Sequence, residues 1–150
     1  MSFATRRVAV AVWVGILLTT LLFAGVTLGK PARTELRSPE LAGLFLWVAG
    51  VVGCLGIVMS RVLPRRIGPR AETASRGATA LARLLVAWAI LEGAALFPLV
   101  AFLITGEALL FLVAAAVLAA HVSLFPTEGR WATLAAQPLP SRGGKGSLVP

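Results

Sequence analysis

The segment 84-LLVAWAILEGAALFPLVAFLITG-106 decides the fold, because it is long enough to cross a membrane and carries a single charged residue, Glu92. A helix needs about 20 apolar residues to cross a hydrocarbon core that is about 30 Å thick. A charged side chain at the centre of such a helix costs roughly 2.5–3.5 kcal/mol on translocon scales. Glu92 therefore has two interpretations. It is either a functional proton or cation site, or a protonated residue that joins helices through hydrogen bonds.

The composition of the whole chain indicates an integral membrane protein. Its 150 residues are 58% hydrophobic, and the mean hydropathy is +0.90. A net charge of +8 would suit a nucleic-acid partner, but the basic residues fall between apolar runs, as they do in membrane proteins. We therefore expect a lipid-bilayer environment and no nucleic acid. With Cys54 as the single cysteine, the chain has neither an internal disulfide nor a cysteine metal cluster.

Four apolar runs predict four transmembrane helices, at about residues 8–28, 41–60, 84–106 and 108–125. The first run is longer than the core of a signal peptide and no suitable cleavage motif follows it, so we expect it to stay uncleaved. The predicted fold class is all-α, an integral membrane four-helix bundle, in a single domain over residues 1–131. Residues 132–145 are expected to form a flexible cytoplasmic tail. Residues 146–150 read as a protease-site linker added for expression.

Basic residues orient the predicted helices. With the N-terminus inside, eleven of the fourteen Lys and Arg residues are cytoplasmic and three are outside. The positive-inside rule then predicts that both termini are cytoplasmic, and we expect a multi-pass protein of a bacterial inner membrane. The basic segment Arg61–Arg83 is interpreted first as a topology determinant. The alternative is a patch for anionic lipid headgroups at Arg61, Arg65, Arg66 and Arg70.

Two further side chains are candidates to act with Glu92. The residues Thr105–Glu107 predict a tight turn, so the third and fourth helices should form an antiparallel hairpin. In that hairpin His121 falls roughly 6 Å from Glu92 in height, which suggests a proton relay; the alternative is that His121 reaches the inner interface. Trp88 lies one helical turn before Glu92. Its indole N–H could donate a hydrogen bond to the carboxyl group of Glu92. The alternative is that the ring only packs against neighbouring helices.

Enzyme chemistry finds no support in the sequence. Asp is absent, so a Ser–His–Asp triad is excluded, and there is no metal triad, glycine-rich phosphate loop or cysteine pair. We therefore expect a protein that is not an enzyme and that uses neither a cofactor nor a metal ion.

The segment 91-LEGAALFPLVAFL-103 resembles the second helix of the c-subunit, or proteolipid, of rotary ATP synthases. In that family an ion-binding carboxylate is followed by small residues, then by an aromatic residue five positions later and by Gly, Ala or Pro. Glu92, Phe97 and Pro98 stand at those places. The chain departs from the family in its preceding helix, which lacks the Gly-x-Gly-x-Gly pattern, and in its long intervening loop. It also resembles small uncharacterised bacterial four-helix membrane proteins that carry such a segment.

The resemblance implies a homo-oligomer, or a subunit of a membrane complex, in which Glu92 binds H⁺ or another cation at a helix–helix interface. One alternative is a non-catalytic scaffold or accessory subunit, in which Glu92 makes a structural hydrogen bond. A third interpretation is an exporter resembling the small multidrug-resistance family, whose members also have four helices and one membrane glutamate. That family places its glutamate in the first helix, which the late position of Glu92 does not match.

Overall fold

The computed structural model describes residues 3–29, 39–67 and 76–136, and these ranges contain helices and turns but no strand. The α-helices of these ranges are α1 (Phe3–Gly29), α2 (Ala42–Val62), α3 (Arg76–Thr105), α4 (Leu109–Ser123) and α5 (Glu128–Ala136). Short 3₁₀ turns at Pro39–Leu41 and Leu63–Arg66 flank α2. The all-α prediction is confirmed for this part of the chain. Its physical reason is that a backbone in hydrocarbon must satisfy its own hydrogen bonds, as a helix does.

Three of these helical segments are long and apolar enough to cross a membrane, namely Ala4–Gly29, Ala42–Arg66 and Arg76–Thr105. The fourth predicted span, residues 108–125, stays a prediction. Helix α4 has only 15 residues, which corresponds to about 22 Å, and it is bent by 77° against the segment Glu128–Leu134. The described residues thus provide three membrane-length helices, or four if α4 and α5 together form one broken span.

The bend between α4 and α5 has a local cause in Pro126. Proline lacks an N–H and disfavours a helical conformation at the residue before it, and α4 accordingly ends at Ser123. The tail predicted from residue 132 starts inside a helix, because α5 continues to Ala136, so that boundary is corrected. The remainder of the predicted tail, 137–145, and the predicted linker at 146–150 lie outside the described residues.

Helix α3 lies at the centre of the bundle and packs against all four other helices. One apolar cluster joins α1, α3 and α5 and consists of Ala9, Trp13, Ala80, Leu84, Trp88 and Trp131. A second cluster joins α3 to α4, and a third joins α2, α3 and α4 at the opposite end of the bundle. The environment of any residue on α3 therefore depends on which of these neighbours it faces.

Helix α2 approaches α3 and α4 closely, as its small residues predict. A Cβ atom placed on Gly56 would lie 2.6 Å from the Cβ of Ala94 in α3. At Gly53 the added atom would lie 3.3 Å from two valine side chains of α4. Small residues allow helix backbones to pack at short distance, which is a main source of packing energy between apolar helices in a membrane.

The two connections that flank α3 differ in character. Between α3 and α4, Gly106 has a φ of 73°, a left-handed conformation that suits glycine, and α3 packs against α4; the predicted turn and hairpin are confirmed. Before α3, the basic segment Arg61–Arg83 is helical at both of its ends, because α2 runs to Val62 and α3 begins at Arg76. Arg83 is therefore a helix residue, and it is only 2% exposed. Residues 68–75 lie outside the described residues.

Candidate functional site

Glu92 lies near the middle of α3. Its position is sixteen residues after Arg76 and thirteen before Thr105, which places it roughly 24 Å and 20 Å from the two ends of the helix. A bilayer that α3 crosses would consequently hold this carboxyl group within its hydrocarbon region. The position predicted from the sequence, deep in an apolar span, agrees with this placement.

The Glu92 side chain stands at the border between the buried and the exposed faces of α3. Leu91 is fully buried, Gly93 is exposed and Glu92 itself is half-buried. Among the described residues the only ion pair joins Arg6 to Glu128, and no hydrogen bond reaches the Glu92 carboxyl group. Within one chain, the carboxyl group is therefore neither enclosed nor paired.

The surface beside Glu92 is open and made of small residues. Ala89 and Gly93 are both exposed, and a Cβ atom placed on Gly93 would meet no atom within 4 Å. Two small residues four positions apart let a second helix approach closely. This face of α3 can therefore accept another helix in a position where that helix would touch Glu92.

Trp88 is fully buried and does not bond to Glu92. Its Nε1 donates to the carbonyl oxygen of Leu124 at 3.3 Å, and an indole has a single N–H to give. The hydrogen bond from Trp88 to Glu92 that the sequence suggested is thus not formed. The ring of Trp88 instead packs in the apolar cluster shared by α1, α3 and α5, as the alternative interpretation expected.

His121 is enclosed by the bundle and makes no side-chain hydrogen bond to the described residues. It is 1% exposed, and neither Nδ1 nor Nε2 has a partner in this part of the chain. Its ring centroid lies 6.0 Å from that of Trp13. The structure brings His121 neither into hydrogen-bonding contact with Glu92 nor out to the surface at the inner interface. Among the described residues no direct hydrogen bond joins His121 to Glu92, and the proton relay stays a prediction.

Two indoles hold the bend between α4 and α5, a feature that the sequence analysis missed. Trp13 donates from Nε1 to the carbonyl oxygen of His121 at 3.5 Å, as Trp88 does to that of Leu124. The carbonyl oxygen of Leu124 lies just after the end of α4, and a carbonyl left unpaired away from water costs free energy. The carbonyl oxygen of His121 also accepts from the backbone N–H of Leu124 at 2.9 Å. Pro126 indicates in the sequence that α4 ends nearby. Nothing in the local sequence indicates which side chains donate to the carbonyl oxygens at that end.

The described residues contain no group of three or more His, Cys, Asp or Glu side chains placed to hold a metal ion. Cys54 is exposed on α2 and forms no disulfide. Of the three predicted site residues, Trp88 and His121 thus belong to the packing of the α4–α5 bend, and Glu92 stands apart on the lateral surface of α3.

Comparisons with known proteins found no match among protein-family models, curated proteins or solved structures. The resemblance of residues 91–103 to the proteolipid helix consequently stays a prediction.

Proposed function

We propose that this chain is a small multi-pass membrane protein that works as an oligomer or as a subunit of a membrane complex. In this proposal Glu92 binds a proton or another cation at the contact between two subunits. The observation that carries it is a half-buried carboxyl group beside an open face of small residues, near the middle of a membrane-length helix. The proteolipid resemblance of residues 91–103 points to the same chemistry.

The energetic argument starts from the cost of leaving a carboxylate in hydrocarbon, which is several kcal/mol. That cost falls if Glu92 takes up a proton, pairs with a cation or is covered by a polar group of a second subunit. A protonated carboxyl group has one O–H donor and keeps acceptor capacity, so it can bond across a helix contact. Ala89 and Gly93 support the covered arrangement, because they leave room for a second backbone.

We further propose that the basic end of the bundle faces the cytoplasm of a bacterial cell. The basic end is the end that carries the arginines of α1, α2, the 3₁₀ turn after α2, α3 and α5, namely Arg6, Arg61, Arg65, Arg83 and Arg130. Cytoplasmic segments of membrane proteins carry an excess of Lys and Arg. The eleven-to-three division of basic residues in the sequence supports this orientation.

A scaffold is the second candidate function, and the surroundings of Glu92 favour it. No described side chain donates a hydrogen bond to the carboxyl group, and both nitrogens of His121 are unpartnered. The described side chains therefore form no direct hydrogen-bonded path between His121 and Glu92. Under this alternative Glu92 stays protonated and makes a structural hydrogen bond to a neighbouring subunit.

Carbodiimide labelling tests the proposal, because these reagents react with protonated carboxyl groups in apolar surroundings. In membranes we expect one modified residue per chain, Glu92. The variant Glu92→Gln should abolish the modification and preserve assembly, since the amide keeps the size and the hydrogen-bonding capacity of the side chain. Glu40→Gln and Glu107→Gln are matched controls at the ends of helical segments, and they should leave the modification unchanged.

Ion flux and complex mass separate the two candidate functions. If Glu92 is an ion site, proton or cation flux into proteoliposomes should vanish in Glu92→Gln and persist in Glu107→Gln. The detergent-solubilised protein should have a mass that is a multiple of 15.6 kDa, or should carry a partner subunit. Absence of flux in the wild-type protein, together with loss of assembly in Glu92→Leu, which cannot form the hydrogen bond, would establish the scaffold. A monomer whose Glu92 resists carbodiimide would contradict both functions.

A further inference from the structure

A cavity of about 340 Å³ opens at the basic end of the bundle. Ligand pockets typically have volumes of roughly 300–1,000 Å³, so this cavity is large enough for a small polar group. Among the described residues, four arginine side chains line it, and they come from α2, the 3₁₀ turn after it, α3 and α5: Arg61, Arg65, Arg83 and Arg130. We call it the arginine cavity.

Positive charge dominates the arginine cavity. None of the described residues that line it is acidic, and the acidic residue of α5, Glu128, pairs with Arg6 at 2.6 Å. Guanidinium groups stay protonated in proteins. A cleft that is lined by one sign of charge and has low-dielectric walls concentrates counter-ions. The described lining of the arginine cavity therefore favours an anion over a cation.

Backbone carbonyls hold three of the guanidinium groups in place. Arg61 donates from Nη1 to the carbonyl oxygen of Ile57 at 2.9 Å. Arg83 donates from Nε to the carbonyl oxygen of Ile67 at 3.0 Å and from Nη1 to that of Leu134 at 3.3 Å. Arg130 donates from Nη1 to the carbonyl oxygen of Ser123. A guanidinium group has five N–H donors, so the Arg130 side chain keeps donors beyond this bond. Groups fixed in this way lose less conformational entropy when they bind a ligand.

The cavity wall changes from charged to apolar towards the middle of α3. Leu84 and Ala87 are both buried and line this side of the cavity. Guanidinium groups match phosphate oxygens in a bidentate geometry, and basic pockets between membrane helices bind phospholipid headgroups. A charged rim above an apolar floor, at one end of membrane-length helices, fits an amphiphile whose phosphate meets the arginines.

We propose that the arginine cavity binds a phosphate-bearing anion, with the headgroup of an anionic phospholipid as its ligand. This inference does not depend on the function of Glu92. It also differs from the surface patch predicted from the sequence, because Arg66 is not among the described residues of the cavity wall. Arg70 of that patch lies outside the described residues. The cavity wall instead contains Arg83, which is buried, and Arg130 of α5.

Binding of short-chain lipids to the full-length protein in neutral detergent tests this site. Calorimetric titrations would compare phosphatidic acid, phosphatidylcholine and inorganic phosphate. We expect saturable binding of phosphatidic acid, one per chain, that is weakened about tenfold or more in Arg65→Gln and in Arg130→Gln, because each loses a charge-assisted contact. Arg66→Gln is the matched control. It removes the same charge one residue away, outside the cavity wall, and should change the affinity by less than about twofold.

The three ligands also identify the source of the phosphate. Preference for phosphatidic acid over inorganic phosphate assigns the cavity to a lipid headgroup, and equal affinity for the two assigns it to a free phosphate; both results support the phosphate site. Absence of binding by either ligand would overturn the proposal. An equal loss of affinity in Arg65→Gln, Arg66→Gln and Arg130→Gln would overturn it as well, because it would show attraction to the general charge of the basic end.

Discussion

Glu92, Trp88 and His121 are three polar side chains on apolar helices, and each has a different environment. Trp88 satisfies its indole N–H at Leu124, His121 is buried with both ring nitrogens unpartnered in the described residues, and Glu92 is half-buried at the edge of α3. Sequence spacing placed Trp88 and Glu92 on one side of a helix, as residues four apart must be. It did not reveal that the acceptor for Trp88 lies at the end of another helix.

At this scale the Trp88 hydrogen bond gives a stability prediction. Trp88→Phe keeps an aromatic ring but removes the N–H, which leaves the Leu124 carbonyl oxygen without its donor. We expect the free energy of unfolding to fall by about 1–3 kcal/mol, the usual cost of an unsatisfied buried polar group. Thermal unfolding in detergent measures it. Trp47→Phe is the control, because Trp47 is 71% exposed; equal losses in the two variants would argue against the bond.

At the scale of helices, hydropathy locates the apolar spans better than it locates helix ends. The third span was predicted to begin at residue 84, whereas α3 begins at Arg76. Hydropathy marks where a chain becomes apolar, but a helix continues wherever its backbone bonds and its packing continue. Thr79 and Ala80 illustrate this, because both lie before the predicted start and both are buried.

The contact between α2 and α3 provides the prediction at this scale. Gly56→Ala adds a methyl group whose carbon would lie 2.6 Å from the Cβ of Ala94, so the helices must separate. Overpacking of this kind typically costs about 1–3 kcal/mol, which should appear as a lower midpoint of thermal unfolding in detergent.

Two variants control the Gly56→Ala experiment. Gly50→Ala, also in α2, places a methyl group where no atom lies within 4 Å, and it should leave the midpoint unchanged or raise it. Combining Gly56→Ala with Ala94→Gly should recover part of the loss, because the contact then has room again. A double variant as unstable as Gly56→Ala alone would show that the Ala94 contact is not the cause.

At the scale of the whole molecule, α3 organises the bundle and the basic end gathers the arginines. The hairpin of α3 and α4 and the stop of α4 before Pro126 follow from local sequence. The arginine cavity does not, because it depends on contacts between segments that are far apart in the chain, such as Arg83 with Leu134.

The proposed orientation gives the prediction for the whole molecule. In a Cys54→Ala background, single cysteines would replace Arg33 or Arg70, which stand in two different connections between apolar runs. With the basic end cytoplasmic, a membrane-impermeant maleimide added outside intact cells should label position 33 and spare position 70. Labelling of both positions after permeabilisation is the control. The reverse pattern in intact cells would contradict the orientation.

The amino-acid sequence by itself determined the apolar helices, the turn at Gly106 and the stop before Pro126. Each depends on hydropathy or on the backbone chemistry of a few neighbouring residues, and a chain in hydrocarbon must form helices to satisfy its backbone. Only the tertiary structure decided the acceptor of the Trp88 indole, the half-buried state of Glu92 and the meeting of four arginines around one cavity. These depend on which helix faces which, and packing between distant segments sets that geometry.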